Sequence, residues 1–187
     1  MQMKTNEAKP KYLAPRFTWG LERDYISSKR VLILGVGNIL LRDEGIGVHI
    51  VNQLQKYDLP SNVEVIDGGT AGLDILLLQE GSYKLVVIDA IRNNKEPGTI
   101  YKTKYLAPQF IAGFSAGQSQ VSLHQFGLVE SLAAAEKMNC APEEIVVIGV
   151  EPGEVNLGLE LTEEVARSIP KVIEQVLEEI QDAIHGE

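Results

Sequence analysis

The sequence predicts an α/β fold, a three-layer sandwich with a mostly parallel, doubly wound sheet and one antiparallel edge strand. Short apolar runs of strand length alternate along the chain with segments whose apolar residues recur at helical spacing. Most of these runs are nearly continuous in valine, isoleucine and leucine, which is typical of parallel strands covered by helices on both faces. With 187 residues, 44% of them hydrophobic, the chain is long enough to bury one such core. We therefore expect a single α/β domain over residues 31–187.

The first strand and helix are predicted within residues 31–54. Residues 31–34 form a short aliphatic run that ends at a glycine turn, as expected for a buried parallel strand. From about Asp43 onward the period changes, because Ile46, Ile50 and Leu54 fall on one helical face. A strand, a turn and a helix are therefore expected to follow one another here.

The turn between this strand and helix matches neither of the common phosphate-binding loops. Gly35 and Gly37 match the first two positions of a dinucleotide fingerprint, but Leu40 stands where the third glycine belongs. A P-loop would need a lysine and a hydroxyl residue, and neither follows at the required spacing. Asp43 and Glu44 would repel a phosphate at the start of a helix, so the turn suits a cation or no ligand.

The same alternation continues to the end of the chain. Further strands are predicted at residues 63–66, 84–88, 99–104 and 145–150, and further helices at residues 73–78, 122–138 and 163–184. The alternating apolar and polar residues at 99–104 indicate a half-exposed edge strand. Ser122 and Gln125 form a capping box for their helix. The loop at residues 107–121, rich in glycine, serine and glutamine, is either a segment that adapts to a partner or an ordinary long surface loop.

Residues 1–30 differ in composition from the rest of the chain. They carry more basic than acidic side chains, whereas the whole chain has a formal net charge of −9. Their prolines and aromatic residues show no periodicity. We interpret this segment as an N-terminal extension that either lies across the acidic domain or forms a poorly ordered tail.

Composition also excludes several functional classes. The charge of −9 argues against a nucleic-acid partner and against binding to an anionic membrane surface. The single cysteine, Cys140, cannot form an internal disulfide, and no apolar run approaches the roughly 20 residues that span a bilayer. Because no secretory segment precedes residue 31 either, a cytoplasmic protein is expected.

Four ionisable residues fall at the ends of predicted elements. Glu44 follows the first strand, Asp67 ends the second, Asp89 ends the third, and His124 begins the helix after the long loop. In a doubly wound sheet these ends open on the edge where ligands bind. Two carboxylates and an imidazole suit a divalent ion such as zinc or nickel. The competing interpretations are a turn-forming role for Asp89 and a surface position for His124. Glu151, which follows the last strand, either lines the same cleft or is a solvated strand end, and the second interpretation is preferred.

Several motifs in the chain resemble the NiFe-hydrogenase maturation endopeptidases. The motifs are G-V-G-N-I-L-L-R-D-E-G-I-G-V at residues 35–48, D-G-G-T-A-G at 67–72, I-D-A at 88–90, H-Q-F-G-L at 124–128, I-G-V-E-P at 148–152 and G-L-E-L-T at 158–162. They occur in the family's order and spacing over about residues 31–177. Because several motifs agree in register, the resemblance is far more specific than any one glycine pair.

The resemblance implies an endopeptidase that removes a C-terminal extension from the precursor of a hydrogenase large subunit after nickel insertion. The family's metal-contacting residues correspond to Glu44, Asp89 and His124, and Asp67 matches the acidic residue of a functional turn. The nickel then belongs to the substrate, so no resident cofactor is expected, with zinc or cadmium able to substitute in vitro. The expected partner is the precursor, and a monomer is expected.

The sequence leaves the chemical step and some alternatives open. No serine or cysteine lies beside His124 as a nucleophile, so hydrolysis by a water activated by metal or carboxylate is expected. Either Asp67 or Glu44 could be the base. The alternative functions are a non-catalytic metallochaperone, a nucleotide-dependent oxidoreductase, and a protease acting on another protein, as related folds do in spore germination.

Overall fold

A computed structural model describes residues 29–70, 81–106 and 123–185 of the protein. Within these ranges the strands are β1 (Val31–Val36), β2 (Val63–Gly69), β3 (Lys84–Ala90), β4 (Ile100–Leu106) and β5 (Glu144–Val150). The helices are α1 (Ile46–Leu54), α2 (Leu123–Lys137) and α3 (Glu163–His185), with a short 3-10 helix at Arg42–Gly45 before α1. Among these described helices, none has the length and apolarity needed to cross a membrane.

The five strands form one mixed sheet in the order β2-β1-β3-β5-β4. β1 pairs in parallel with β2 and β3, and β3 pairs in parallel with β5. β4 is antiparallel to β5 at the edge. The predicted fold class is therefore confirmed, including the antiparallel edge strand. The chain leaves β1 for β2 on one side and then crosses to β3 on the other, so the order reverses between β1 and β3.

Helices cover both faces of the sheet and make three layers. Alternate residues of the central strands pack into two separate clusters of buried side chains. One cluster joins Ile33, Val86 and Ile148 to α1 and α3, and the other joins Leu34 and Val87 to Leu132 of α2. Each fully buried aliphatic side chain contributes about 1.5–3 kcal/mol through its removal from water. The uninterrupted apolar runs of β1 and β3 are therefore a consequence of burial on both faces.

Element boundaries differ from the predictions mainly at the carboxyl ends of the strands. β2 continues to Gly69 because the Gly37 N–H donates to the Gly69 carbonyl at 2.8 Å. The helix predicted from about Asp43 starts as a 3-10 helix and becomes α1 only at Ile46. The helix predicted at residues 73–78, the Ser122 cap, the loop at 107–121 and most of the extension at 1–30 lie outside the described residues.

Buried charges fasten α3 to the amino edge of the sheet. The side chain of Glu179 in α3 is 3% exposed. Its carboxylate forms ion pairs with the ammonium groups of Lys84 in β3 at 3.0 Å and Lys102 in β4 at 2.8 Å. Lys104 approaches the same carboxylate at 3.3 Å, and Glu144 lies 3.2 Å from Lys84. Burial by itself would raise the pKa of Glu179, but the lysine hydrogen bonds and charges lower it to about 2. We call these five residues the amino-edge ion cluster.

Candidate active site

The carboxyl ends of β1 and β3 meet where the strand order of the sheet reverses. The register places Gly35 of β1 opposite Ile88 of β3, so Asp89 lies immediately past the end of the paired segment. The 3-10 helix that carries Glu44 follows β1 and lies against β3. In doubly wound sheets this crevice is the usual ligand position. Two of the predicted site residues therefore lie in the same region, Asp89 near the end of β3 and Glu44 on the 3-10 helix that follows β1.

Glycines allow the helix that follows the turn to press directly on the strand ends. A Cβ atom at Gly47 would overlap the carbonyl oxygens of both Val36 and Ile88, and one at Gly35 would overlap the carbonyl oxygen of Gly47. Gly37 has a φ of 137°, and a Cβ there would overlap the carbonyl oxygen of Glu44. These glycines are therefore used for close backbone packing around the turn that carries Glu44.

The two carboxylates at this crevice differ in exposure to water. Asp89 is 2% exposed, and its Oδ1 accepts the N–H of Ala90 at 2.8 Å. Alternation along β3 places Asp89 on the face of Leu85 and Val87, which is the face covered by α2. Glu44 is partly exposed, and its Oε2 is buried. The expectation that Asp89 is desolvated is confirmed.

Asp67 lies farther from Asp89 than the predicted site suggests. It is an exposed residue of β2, opposite Gly35, and its Oδ1 accepts the N–H of Gly69 at 2.9 Å. β1 separates β2 from β3, so about 9–10 Å lies between their backbones. By alternation Asp67 lies on the face of Val65, opposite to the face of Asp89. The structure thus places Asp67 at the same edge as Asp89 but on a different face.

His124 is the second residue of α2, as predicted, and its side chain lies outside what the structure describes. The described residues contain no group of three histidine, cysteine, aspartate or glutamate side chains that could hold a metal. Because that search does not include the His124 imidazole, the predicted set of Glu44, Asp89 and His124 stays a prediction.

Asp43 is the main site residue that the sequence did not single out. It is fully buried, and its Oδ2 accepts the N–H groups of Gly153 and Glu154 at 2.9 and 2.8 Å. Thr162 donates its N–H to Oδ1 at 2.7 Å and its hydroxyl to Oδ2 at 2.9 Å. We call this arrangement the Asp43 clamp. It fixes the 3-10 helix next to Glu44 against the segment that follows β5, whose residues are about 110 positions away.

The burial of Glu151 also differs from its prediction. Its predicted place as a solvated strand end is wrong, because it is 4% exposed and accepts the Tyr101 hydroxyl at 2.5 Å and the Asn93 N–H at 2.8 Å. Burial by itself would raise the pKa of Glu151, but these hydrogen bonds and those from the N–H groups of Lys95 and Asn94 lower it. Burial and the Glu151 carboxylate raise the pKa of Tyr101 to about 12. Glu151 thus holds the loop after Asp89 against β5.

Comparison with known proteins identifies the family to which this architecture belongs. A family model described as "Hydrogenase maturation protease" matches residues 48–179. The chain is 38% identical over 158 residues to the hydrogenase 2 maturation protease of Escherichia coli K12, covering 82% of this chain and 92% of that protein. It is 41% identical over 147 residues to a hydrogenase expression/formation protein, HupD, of Rhizobium leguminosarum bv. viciae, covering 78% of this chain and 71% of that protein.

Solved structures agree with the sequence comparisons. The hydrogenase maturating endopeptidase HybD from E. coli matches with a TM-score of 0.75 and 37% identity, covering 82% of this chain and 93% of that chain. A hydrogenase 2 maturation peptidase from a thaumarchaeote matches with a TM-score of 0.64 and 32% identity, covering 81% and 98%. The match to the family model spans more than half of the chain. This chain therefore belongs to the hydrogenase maturation protease family and is an endopeptidase.

Proposed function

We propose that the protein removes the C-terminal extension of a NiFe-hydrogenase large-subunit precursor after nickel has been inserted. In this proposal Glu44, Asp89 and His124 contact the nickel that the precursor carries. The observation that supports it most is the meeting of the Glu44 turn and the end of β3 at the point where the strand order reverses. The related proteins are hydrogenase maturation proteases, which points to the same class of substrate.

The course of α2 supports a place for His124 beside the two carboxylates. α2 has 15 residues and so is about 22 Å long, which is close to the length of the seven-residue strand β5. It ends at Lys137, shortly before β5 starts at the amino edge of the sheet. We infer that its first turn lies at the carboxyl edge, on the sheet face that Asp89 shares.

The donor set fits a borderline divalent cation carried by a substrate. Two carboxylates and one imidazole suit nickel or zinc, and three protein contacts leave coordination positions for ligands from the precursor. We therefore propose that the protein has no resident cofactor and that zinc or cadmium substitutes for nickel in vitro. The same proposal includes a cytoplasmic monomer that acts on the precursor alone.

Peptide hydrolysis in this site uses a water molecule activated by a carboxylate. Cys140 is an unsuitable nucleophile, because it lies between α2 and β5 at the amino edge, a strand's length from Asp89. Glu44 and Asp67 are the two candidate bases. Separate Glu44→Gln and Asp67→Asn variants distinguish them by turnover at saturating precursor, which only the amide of the true base abolishes. Weaker binding of the precursor is expected for Glu44→Gln in either case, because Glu44 also contacts the nickel.

The test is the processing of purified precursor in nickel-loaded and nickel-free forms, followed over time by intact mass. Wild type is expected to cut only the nickel-loaded form. Asp89→Asn and His124→Ala are expected to lower the rate at least about 100-fold while the far-UV spectrum is unchanged. Asp182→Asn, at an exposed position of α3, is the matched control and should process normally.

Three outcomes would contradict this proposal. Normal processing by both Asp89→Asn and His124→Ala would remove their role at the site. Equal cutting of nickel-free precursor would remove metal recognition. Nickel-dependent binding of the precursor without any cleavage by wild type would instead support the non-catalytic metallochaperone.

A further inference from the structure

Exposed hydrophobic side chains are concentrated in two loops next to the site. The described part of the chain exposes seven large hydrophobic residues, and five of them lie in these loops. The five are Ile39 at 44%, Leu40 at 56%, Val155 at 36%, Leu157 at 86% and Leu159 at 64% exposed. We call this set the apolar ridge. Exposed apolar patches of this kind mark interaction surfaces more often than chance on soluble proteins.

The two loops that form the apolar ridge are fastened to each other. Leu41 and Gly158 form an isolated parallel bridge, in which the Gly158 N–H donates to the Leu40 carbonyl at 3.0 Å. The Arg42 N–H donates to the Gly158 carbonyl at 2.9 Å, and the Arg42 guanidinium pairs with Glu154 at 2.6 Å. The Asp43 clamp adds four hydrogen bonds between the same two segments. The exposed side chains are therefore presented on a preorganised backbone.

This preorganisation separates the apolar ridge from ordinary loop tips. Because the backbone of both loops is already ordered, little backbone conformational entropy is lost when a partner covers their apolar side chains. The ridge is also continuous with the site, because Leu40 precedes Glu44 by four residues on the turn that the clamp holds. A partner bound at Glu44 would therefore lie beside these side chains.

We propose that the apolar ridge docks the protein substrate, binding an apolar surface of the large-subunit precursor beside the segment to be cut. This proposal rests on the proposed function and deepens it. The ridge supplies affinity for the precursor, and the residues at the carboxyl edge of the sheet carry out the hydrolysis. Buried apolar anchors at the centre of an interface carry much of its affinity. Because the contact is apolar, it should depend only weakly on salt, even though the chain has a net charge of −9.

The test compares a ridge variant with a matched control in the full-length chain. Leu157→Ser combined with Leu159→Ser removes two ridge side chains, and Tyr57→Ser combined with Met138→Ser removes two exposed hydrophobic side chains outside the ridge. Processing of nickel-loaded precursor should show a KM at least about tenfold higher for the ridge variant, with kcat within about twofold of wild type. The control should stay within twofold in both constants.

The readouts separate this proposal from the proposed function. If wild type fails to process the precursor, the proposed function fails. If wild type processes it and the ridge variant has an unchanged KM, only the docking proposal is overturned. A fall in kcat at constant KM would also overturn it, because the ridge would then act on the chemical step.

Two other occupants of the apolar ridge give distinct signals. A second copy of the chain would appear as a wild-type dimer in sedimentation that the ridge variant converts to a monomer without a change in KM. The chain's own N-terminal segment carries the single tryptophan, Trp19. A blue-shifted Trp19 emission in wild type that moves to the red in the ridge variant would place this segment on the ridge. Either result would overturn docking of the precursor.

Discussion

Two buried carboxylates at opposite edges of the sheet are stabilised in different ways. Asp43, at the carboxyl edge, is held by three backbone N–H groups and one hydroxyl. Glu179, at the amino edge, is held mainly by lysine ammonium groups, with Lys84 and Lys102 within 3.0 Å. Both sets of contacts offset the free energy that is lost when a charged carboxylate is removed from water.

The kind of donor, neutral or cationic, separates the proposed functional edge of the sheet from the structural one. Neutral donors hydrogen-bond to Asp43, and no ion pair between Asp43 and a cationic side chain is present among the described residues. The proposed metal contact therefore lies next to a carboxylate that is satisfied without a bound cation. The lysines of the amino-edge ion cluster neutralise Glu179 and Glu144, which makes that edge a structural joint between α3 and the sheet. We therefore expect substitutions at Asp43 to change activity and stability together, and substitutions at Glu179 to change stability alone.

The largest effect is expected from Asp43→Ala. It leaves the N–H groups of Gly153, Glu154 and Thr162 without their acceptor in a buried place and frees the turn that positions Glu44. We expect unfolding by urea to show a loss of about 3–5 kcal/mol. Processing per folded molecule should fall at least about tenfold, because Glu44, which we propose contacts the nickel, would be misplaced.

Asp43→Asn is the conservative comparison for this prediction. It keeps the shape and one acceptor oxygen, so it should recover part of the stability and part of the activity. If processing per folded molecule in Asp43→Ala equals that of wild type, Asp43 is a structural residue only, and the proposed contrast between the two edges fails.

Glu179→Gln should have the next largest effect, on stability alone. The neutral amide leaves Lys84 buried with only Glu144 as a charged partner at 3.2 Å, and uncompensated buried charge is costly. We expect a loss of about 2–4 kcal/mol by urea unfolding and unchanged processing per folded molecule. Glu178→Gln is the matched control, because the Glu178 side chain is 60% exposed and its ion pair with Lys102 contributes under about 1 kcal/mol. Equal losses in both variants would contradict the structural joint.

The lowered pKa of Glu179 also predicts how the free energy of unfolding depends on pH. The pKa of Glu179 is lowered from 4.5 to about 2 in the folded state, so the unfolded state binds the proton more tightly. This contribution is complete above the unfolded pKa and is lost as the pH falls from about 4.5 towards 2. The difference in pKa limits it to about 3 kcal/mol. Urea titrations should therefore show a smaller loss over this window in Glu179→Gln than in wild type, and parallel curves would contradict the assignment.

The sequence predicted those features that depend on local pattern. The aliphatic runs of β1 and β3 predicted buried parallel strands, and the alternation at 99–104 predicted the antiparallel edge. The positions of Glu44 and Asp89 at element ends followed from the same pattern together with the rule for doubly wound sheets.

What the sequence did not predict depends on contacts between distant segments. The partners of Asp43 lie at residues 153, 154 and 162, and nothing in the local pattern distinguishes Asp43 from its neighbour Glu44. The burial of Glu151 likewise depends on Tyr101 of β4, fifty positions earlier. A carboxylate at a strand end looks the same in sequence whether solvent or a distant hydroxyl surrounds it.

The smallest effect is expected from Tyr101→Phe, which tests whether neutral donors hold the carboxyl edge as a general rule. Glu151 accepts the Tyr101 hydroxyl and backbone N–H groups, as Asp43 does with its own neutral donors. Loss of the hydroxyl donor should raise the pKa of Glu151. The free energy of unfolding should fall by only about 1–2 kcal/mol in urea, because the remaining N–H groups still stabilise the carboxylate. Processing should change less than about threefold. A loss as large as that of Asp43→Ala would show instead that the Tyr101 hydroxyl alone carries the buried charge of Glu151, and the parallel with Asp43 would fail.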